Sequence, residues 1–490
     1  MQSLACPSRT VVEEFEPGIP FDRVFAAVCD RPGSFFLDSA RFAGGLGACS
    51  FIGFDPFLVF ASRGPRISVS CDGGRNESFG DPLAEMRRLL ARFRGGQAPG
   101  LPFAGGAVGY FGYEFYSQIE RLLWTRAAKK SDIEAVPNDE AVPNDEAVPE
   151  AQFGFYDGVI AFDHSSGRTL LVANPVHRDD AKTIVRRLEQ GVREGMASRR
   201  SVGPGTEGNR STNESAPRPA MPKAAYLAAV ARIKEYIAAG DVYQVNLTQR
   251  FDAAPSSHPF SIYERLRRRS PAPFSCYLNL GSHQIVGSSP ERFLRIENGR
   301  VETRPIKGTR PRGRNPIEDA RLRDELLGSE KDRAELLMIV DLERNDLGRV
   351  CGFGTVAVDD FCRLESHPTV HHLAATVSGV LRPECDALDC IRAMFPGGSI
   401  TGAPKIRAMQ IIDELETCRR DIYTGSVGYL GFDGAADLNI AIRTIICSRG
   451  RATYHVGGGI VWDSDPEAEF KECMDKGSAM FESLADSRPC

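Results

Sequence analysis

The sequence predicts an α+β fold of antiparallel sheets, and three observations carry that expectation. Short apolar runs bounded by Gly, Pro and Asp recur along the chain, as strands do. Segments with apolar residues every three or four positions lie among them, as amphipathic helices do. The two kinds do not alternate strictly, so the βαβ order of a parallel sheet is missing. With 490 residues, 42% of them apolar and 26% charged, the chain can bury a large core without disulfide or metal staples.

Charge narrows the function classes. The 60 Lys and Arg face 65 Asp and Glu, a net charge of −5, which leaves no basic field for nucleic acid and no basic stripe for an anionic membrane. No apolar run approaches the length that spans a bilayer. Residues 1–17 lack the basic-then-apolar order of a secretory signal. The 13 cysteines are odd in number and scattered, with no C-x-x-C pair, which fits reduced thiols in a cytoplasmic protein.

Taken in order, the N-terminal part reads as strand-rich, with apolar runs at 51–61 and 158–163. A helix is expected at 82–94, where Leu83, Met86, Leu89, Leu90 and Phe93 share one face. Residues 134–150 repeat Ala-Val-Pro-Asn-Asp-Glu twice and begin it again. Prolines at 137, 143 and 149 exclude a continuous helix or central strand, so a loop is expected. Residues 197–222, rich in Ser, Gly, Pro, Arg and Asn, read as a linker. Within them Gly203-Pro-Gly205-Thr-Glu-Gly208 matches a dinucleotide-binding pattern, but no strand leads in and no helix leads out. These breaks suggest an N-terminal domain at 1–196 and a C-terminal domain at 223–490. The latter opens on a helix at 223–239, with Tyr226, Ala229, Ile233 and Ile237 on one face and Gly240 as its stop. Strands are expected at 242–251, 274–280 and 284–288.

Several residues could carry chemistry. Asp332 and Glu335 are three apart on one expected helix, and Glu469 and Glu472 on another. Two such faces turned toward each other would make an oxygen-rich cage suited to Mg²⁺, although the same spacing serves a solvated helix face equally well. Two glycine clusters, at 395–404 and 456–460, would let backbone approach a ligand or simply make tight turns. Arg443 stands in an apolar run expected to be a strand and needs a carboxylate from the protein or a ligand. Lys307 lies between Ile306 and Gly308; a desolvated lysine there could serve as base or nucleophile. His367 and His371 form an H-x-x-x-H pair without a zincin's acidic partner.

Longer motifs resolve these fragments into a resemblance. Ser289-Pro-Glu-Arg-Phe293, Pro305-Ile-Lys-Gly-Thr-Arg-Pro-Arg312, Asp341-Leu-Glu-Arg-Asn-Asp-Leu-Gly-Arg349, Phe395–Met409, Gly425-Ser-Val-Gly-Tyr-Leu430 and Gly457-Gly-Gly-Ile-Val461 resemble the chorismate-utilising enzymes. The likeness runs unbroken from about Tyr226 to Lys476. Upstream, Ser50–Pro56, Gly106–Tyr113 and Phe155–Asp157 resemble that family's N-terminal domain. The resemblance implies antiparallel sheets packed in layers with helices outside. It also implies Mg²⁺ held by Glu335 and Glu472, with Asp332 and Glu469 behind them.

On the same resemblance, Glu291 would be the acid that protonates the departing C4 hydroxyl of chorismate, with His372 near that hydroxyl. Lys307 would be the nucleophile. Arg443 and Tyr429 would grip the enolpyruvyl carboxylate, with Gln244, Thr401, Gly458 and Gly459 as further contacts and Lys476 balancing the acidic end. In the hydroxylating branch a lysine replaces Gln244, and the anthranilate-forming branch usually has Ala in place of Lys307. The pairing of Gln244 with Lys307 therefore implies amination at C4 to 4-amino-4-deoxychorismate, toward para-aminobenzoate and folate. The alternative is the anthranilate-forming reaction. The sequence holds no Gly-x-Cys-x-Gly glutaminase nucleophile, so ammonia would come from a separate glutamine amidotransferase or from solution. Leu37-Asp-Ser39 matches a Leu-x-Ser motif near which some relatives bind tryptophan.

Overall fold

The computed structural model describes residues 10–40, 46–120, 148–201, 217–255, 257–366 and 370–485. Most of the repeat at 134–150, most of the linker at 197–222 with its glycine pattern, and His367 lie outside the described residues.

Two antiparallel sheets, each twelve-stranded among the described residues, form the centre of the molecule. Both take strands from before and after residues 197–222. In the first, Phe35–Asp38 pairs with Phe274–Asn279, with Phe36 opposite Tyr277. In the second, Gly106–Phe111 pairs with Ser426–Gly431, with Val108 opposite Tyr429. Many of these strands are buried on both faces, which is why their sequences read as near-continuous apolar runs.

The inner faces meet in a cluster that includes Phe35, Phe51, Phe103, Val108, Tyr156, Ile285 and Val427. The outer face of the first sheet is covered by Phe21–Val28, Lys223–Ala238, Pro259–Arg269 and Pro466–Ala485. The other sheet is covered by Pro82–Arg92, Glu330–Gly348 and Ala387–Met394. The result is the expected α+β arrangement of layered sheets with helices outside. No helix of the described residues is long and apolar enough to cross a membrane.

Local chemistry accounts for the element ends. Asp81 caps Pro82–Arg92 by accepting the Leu83 N–H at 2.9 Å, and Pro82 supplies a first-turn residue that needs no donor. The Ser329 hydroxyl caps Glu330–Gly348 through the Asp332 N–H at 3.2 Å. One expectation is corrected: Arg443 is not inside a strand. It adopts φ +50°, a left-handed kink between Ala436–Asn439 and Thr444–Ser448, which releases its side chain from the pleat.

A buried staple fixes the region around the glycine cluster. Arg420, 1% exposed, pairs with Glu416 and donates to the carbonyls of Ile400 at 3.0 Å and Asn246 at 2.8 Å. It thereby locks the Gly397–Thr401 segment to the strand Gln244–Ala253.

Candidate active site

Lys307 stands on the strand Ile306–Pro311, opposite Leu373 of the neighbouring strand. A bulge follows at Gly308, whose φ of +68° and close approach to Leu326 and Asp332 exclude a side chain. The bulge turns the lysine inward, where its Nζ donates to the Ser399 carbonyl at 3.0 Å. Burial lowers its pKa, against the charges of Glu335 and Glu291.

Glu291, 5% exposed, lies in the sharp connection between Gln284–Ser289 and Arg292–Glu297. Its carboxyl accepts from the Ser399 hydroxyl and from the Ile306 N–H, and burial nonetheless raises its pKa. Ser399 thus touches both groups at once. His372, 3% exposed, faces Thr309 across the strand pair, with Nδ1 3.0 Å from the Thr309 hydroxyl.

The two acidic helices turn toward this point. Burial raises the Glu335 pKa, and the charges of Asp332 and Glu469 add to it. Glu472 is held down by Lys476, whose Nζ is 2.7 Å away and also reaches the Gly457 carbonyl at 3.3 Å. Glu469, 8% exposed, accepts from the Ser464 hydroxyl at 2.6 Å. Asp332 is engaged by Arg310 at 3.1 Å. Among the described residues only Cys71, Asp72 and His177 bring three donor atoms within 4.8 Å of one another, so the acidic carboxylates face one region without closing on each other.

Glycines form the floor. Gly458 and Gly459 pair with Leu247 and Asn246. A Cβ on Gly458 would lie 3.4 Å from Glu469 Oε2 and 3.5 Å from Lys476 Nζ, and one on Gly459 would meet Gln244 Nε2 at 1.9 Å. Gln244 is fully buried, and both atoms of its side-chain amide lack a hydrogen-bond partner among the described residues. Such a group is costly unless a ligand or water completes it. Arg443 is half-buried, and burial lowers its pKa. Its nearest polar contact is the Ser270 hydroxyl at 3.4 Å, and it has no carboxylate partner among the described residues.

Two expected contacts fall elsewhere. Thr401, fully buried, donates its hydroxyl to the Gly397 carbonyl at 3.0 Å and so braces the turn. Tyr429 does not join the cluster. Strand alternation puts it with Val427 on the inner face, where it stacks on Phe103 at 4.4 Å and lines a cavity of about 100 Å³ with Leu37, Ser39 and Asn439. The Leu-x-Ser motif therefore shares a cavity with Tyr429. Beside the glycine strand, Tyr423 stacks on His455 at 5.2 Å. Its place two residues before Gly425 is a signal only in hindsight, because no spacing rule marks it. His371 is tied to Asp319 and Ser366.

The model of the chorismate binding enzyme family matches residues 54–482. Anthranilate synthase component 1 of Acetivibrio thermocellus is 39% identical over 92% of this chain and 90% of its own. Aminodeoxychorismate synthase component 1 of Salmonella typhimurium is 38% identical over 94% and 95%. Among solved structures, anthranilate synthase component I from Streptococcus pneumoniae superposes with a TM-score of 0.73 at 30% identity, covering 90% of this chain and 94% of that one. The menaquinone-specific isochorismate synthase of Escherichia coli shares the fold, with a TM-score of 0.69 at 17% identity, covering 98% of this chain and 95% of that one.

Proposed function

The chain belongs to the chorismate binding enzyme family and acts on chorismate, and from that premise we propose that it aminates chorismate at C4 to give 4-amino-4-deoxychorismate. The observation that carries this reading is Lys307, an amine with a lowered pKa held within hydrogen-bond reach of Ser399 beside Glu291.

In this reading the free amine of Lys307 bonds to C2 of the ring, the diene electrons shift toward C4, and the C4–O bond breaks. Glu291 gives its proton to the departing hydroxyl, which leaves as water; burial raises its pKa and so favours the protonated carboxyl. Ammonia then bonds to C4, the electrons return, and the C2–N bond to Lys307 breaks. Arg443, lacking a carboxylate partner among the described residues, is the natural grip for the enolpyruvyl carboxylate. Gln244 offers an unmatched amide to the substrate or to ammonia.

Glu335 and Glu472 fit Mg²⁺: both offer hard carboxylate oxygens, and Glu335, whose pKa is raised first by burial and then by the charges of Asp332 and Glu469, is a carboxylate that a cation would help to stay ionised. Bound there with Asp332 and Glu469 behind, the ion would neutralise the ring carboxylate of chorismate. Ammonia would be delivered by a separate glutamine amidotransferase or taken from solution, and the setting would be cytoplasmic.

A second reading is the anthranilate-forming reaction, with amination at C2 and loss of pyruvate. The names of the relatives favour it over C4 amination, since most of the curated relatives at this level of identity are called anthranilate synthase component 1. Product analysis with chorismate, ammonium and Mg²⁺ separates the two. A product that becomes para-aminobenzoate only when a lyase is added supports C4 amination. Anthranilate fluorescence without a lyase overturns it.

A further inference from the structure

On the reading that Lys307 and Glu291 do the chemistry, we infer that Glu343 is the positioning residue that sets the distance and orientation of both, acting through the Gly398–Ser399 turn. Glu343 lies on the helix Glu330–Gly348, two turns beyond Glu335, and is 3% exposed. Its Oε1 accepts the Gly398 N–H at 3.0 Å. The next residue, Ser399, meets Lys307 Nζ with its carbonyl at 3.0 Å and donates its hydroxyl to Glu291. A single peptide unit therefore separates the Glu343 acceptor from the atom that holds the lysine.

The turn is pressed onto this helix and cannot shift without losing the bond. A Cβ on Gly398 would meet Leu342 Cδ2 at 2.5 Å and Glu343 Oε1 at 3.1 Å. On the far side the Asn246 side-chain amide also donates to the Ser399 carbonyl, at 3.2 Å. Removing the Glu343 acceptor would leave the Gly398 N–H buried and unmatched, a state that favours local rearrangement of the turn. A displacement of about 1 Å at a reacting group is enough to cost roughly a hundredfold in rate.

At this contact Glu343 acts through a carboxyl oxygen, which accepts the Gly398 N–H in either protonation state. Burial and the neighbouring Asp346 push its carboxyl up to about 7, while Lys405 and the Gly398 N–H oppose that rise and Glu291 adds to it. Its Oε2 is buried without a partner among the described residues. A neutral amide oxygen in the same place should do the same work.

The test compares Glu343→Met, which keeps the length and removes the acceptor, with Glu343→Gln, which keeps it. Steady-state rates are measured with chorismate, ammonium and Mg²⁺, alongside thermal melts, with Glu343→Ala as a second variant lacking the acceptor and Lys307→Ala as a control. Glu343→Met is expected to lower kcat at least about tenfold with the chorismate KM within about twofold. Glu343→Gln is expected to recover kcat to within about threefold. Equal loss in both, unchanged kcat in folded Glu343→Met, or failure of Glu343→Met and Glu343→Ala alike to fold, overturns the proposal. Full activity in Lys307→Ala would instead reject the roles given to the catalytic pair, a separate result.

Discussion

Lys307 Nζ donates to the Ser399 carbonyl at 3.0 Å, and the Ser399 hydroxyl in turn donates to Glu291. One small residue joins the proposed nucleophile to the proposed acid. Lys307→Ala should lower C4 amination by at least about a hundredfold, because the covalent route is gone while the binding groups remain. Lys307→Arg should not restore it, since a guanidinium stays protonated. Chromatographic product analysis checks both, and wild-type turnover in either variant rejects the nucleophile.

The burial that raises Glu291 above the ordinary carboxylate range also predicts a pH profile. The rate should fall as pH rises through the Glu291 pKa, because only the protonated form can serve the leaving hydroxyl. Lys307 works in the opposite sense, with its lowered pKa supplying free amine at a lower pH than an ordinary lysine would. Glu291→Gln should lower kcat and remove the alkaline limb. A profile of unchanged shape in that variant would show that another group supplies the proton.

Metal dependence should follow the carboxylates. Chelation with EDTA should abolish turnover and Mg²⁺ should restore it. Glu335→Gln and Glu472→Gln should each weaken Mg²⁺ binding at least about tenfold by calorimetry, because each removes a charged oxygen from a hard cation. Arg310→Ala, which frees Asp332, should have a smaller effect.

Arg420 and Glu416 form a pair that is almost wholly buried, so breaking it should be expensive. Arg420→Met should lower stability by roughly 3–5 kcal/mol, since it removes the buried counter-charge of Glu416 and the donors to the Ile400 and Asn246 carbonyls, leaving Thr248 to donate to the carboxylate. Replacing both residues with apolar ones should cost less than the single change. Chemical denaturation of the wild type, Arg420→Met and the double variant would measure the difference.

Glu114 offers a pH test of stability. Burial and the Asp421 charge raise its carboxyl from 4.5 to about 7 in the folded chain. The folded state therefore holds a proton that the unfolded state releases between those values. Stability should fall as pH rises through that window, by about 1.4 kcal/mol per unit at most. In Glu114→Gln the slope should flatten; an unchanged slope would assign it to other groups.

Much of this protein was legible in the sequence. The α+β class followed from the two periodicities, and long motifs marked the family. The i, i+3 carboxylates implied two acidic helix faces, which the structure turns toward one region. Burial of strands and apolar helix stripes is a local property, so local patterns report it.

What the sequence could not contain was the pairing of distant segments. Phe35–Asp38 pairs with Phe274–Asn279, and Gly106–Phe111 with Ser426–Gly431, because closing each sheet buries apolar faces whichever part of the chain supplies the strand. Tyr429 went to the inner cavity for the same reason: a strand's two faces are equivalent until the second sheet is in place. The kink at Arg443 and the reach of Glu343 to Gly398 also depend on neighbours far away in the chain. Residue types fixed which chemistry was available, and only the packed sheets decided which of those residues meet.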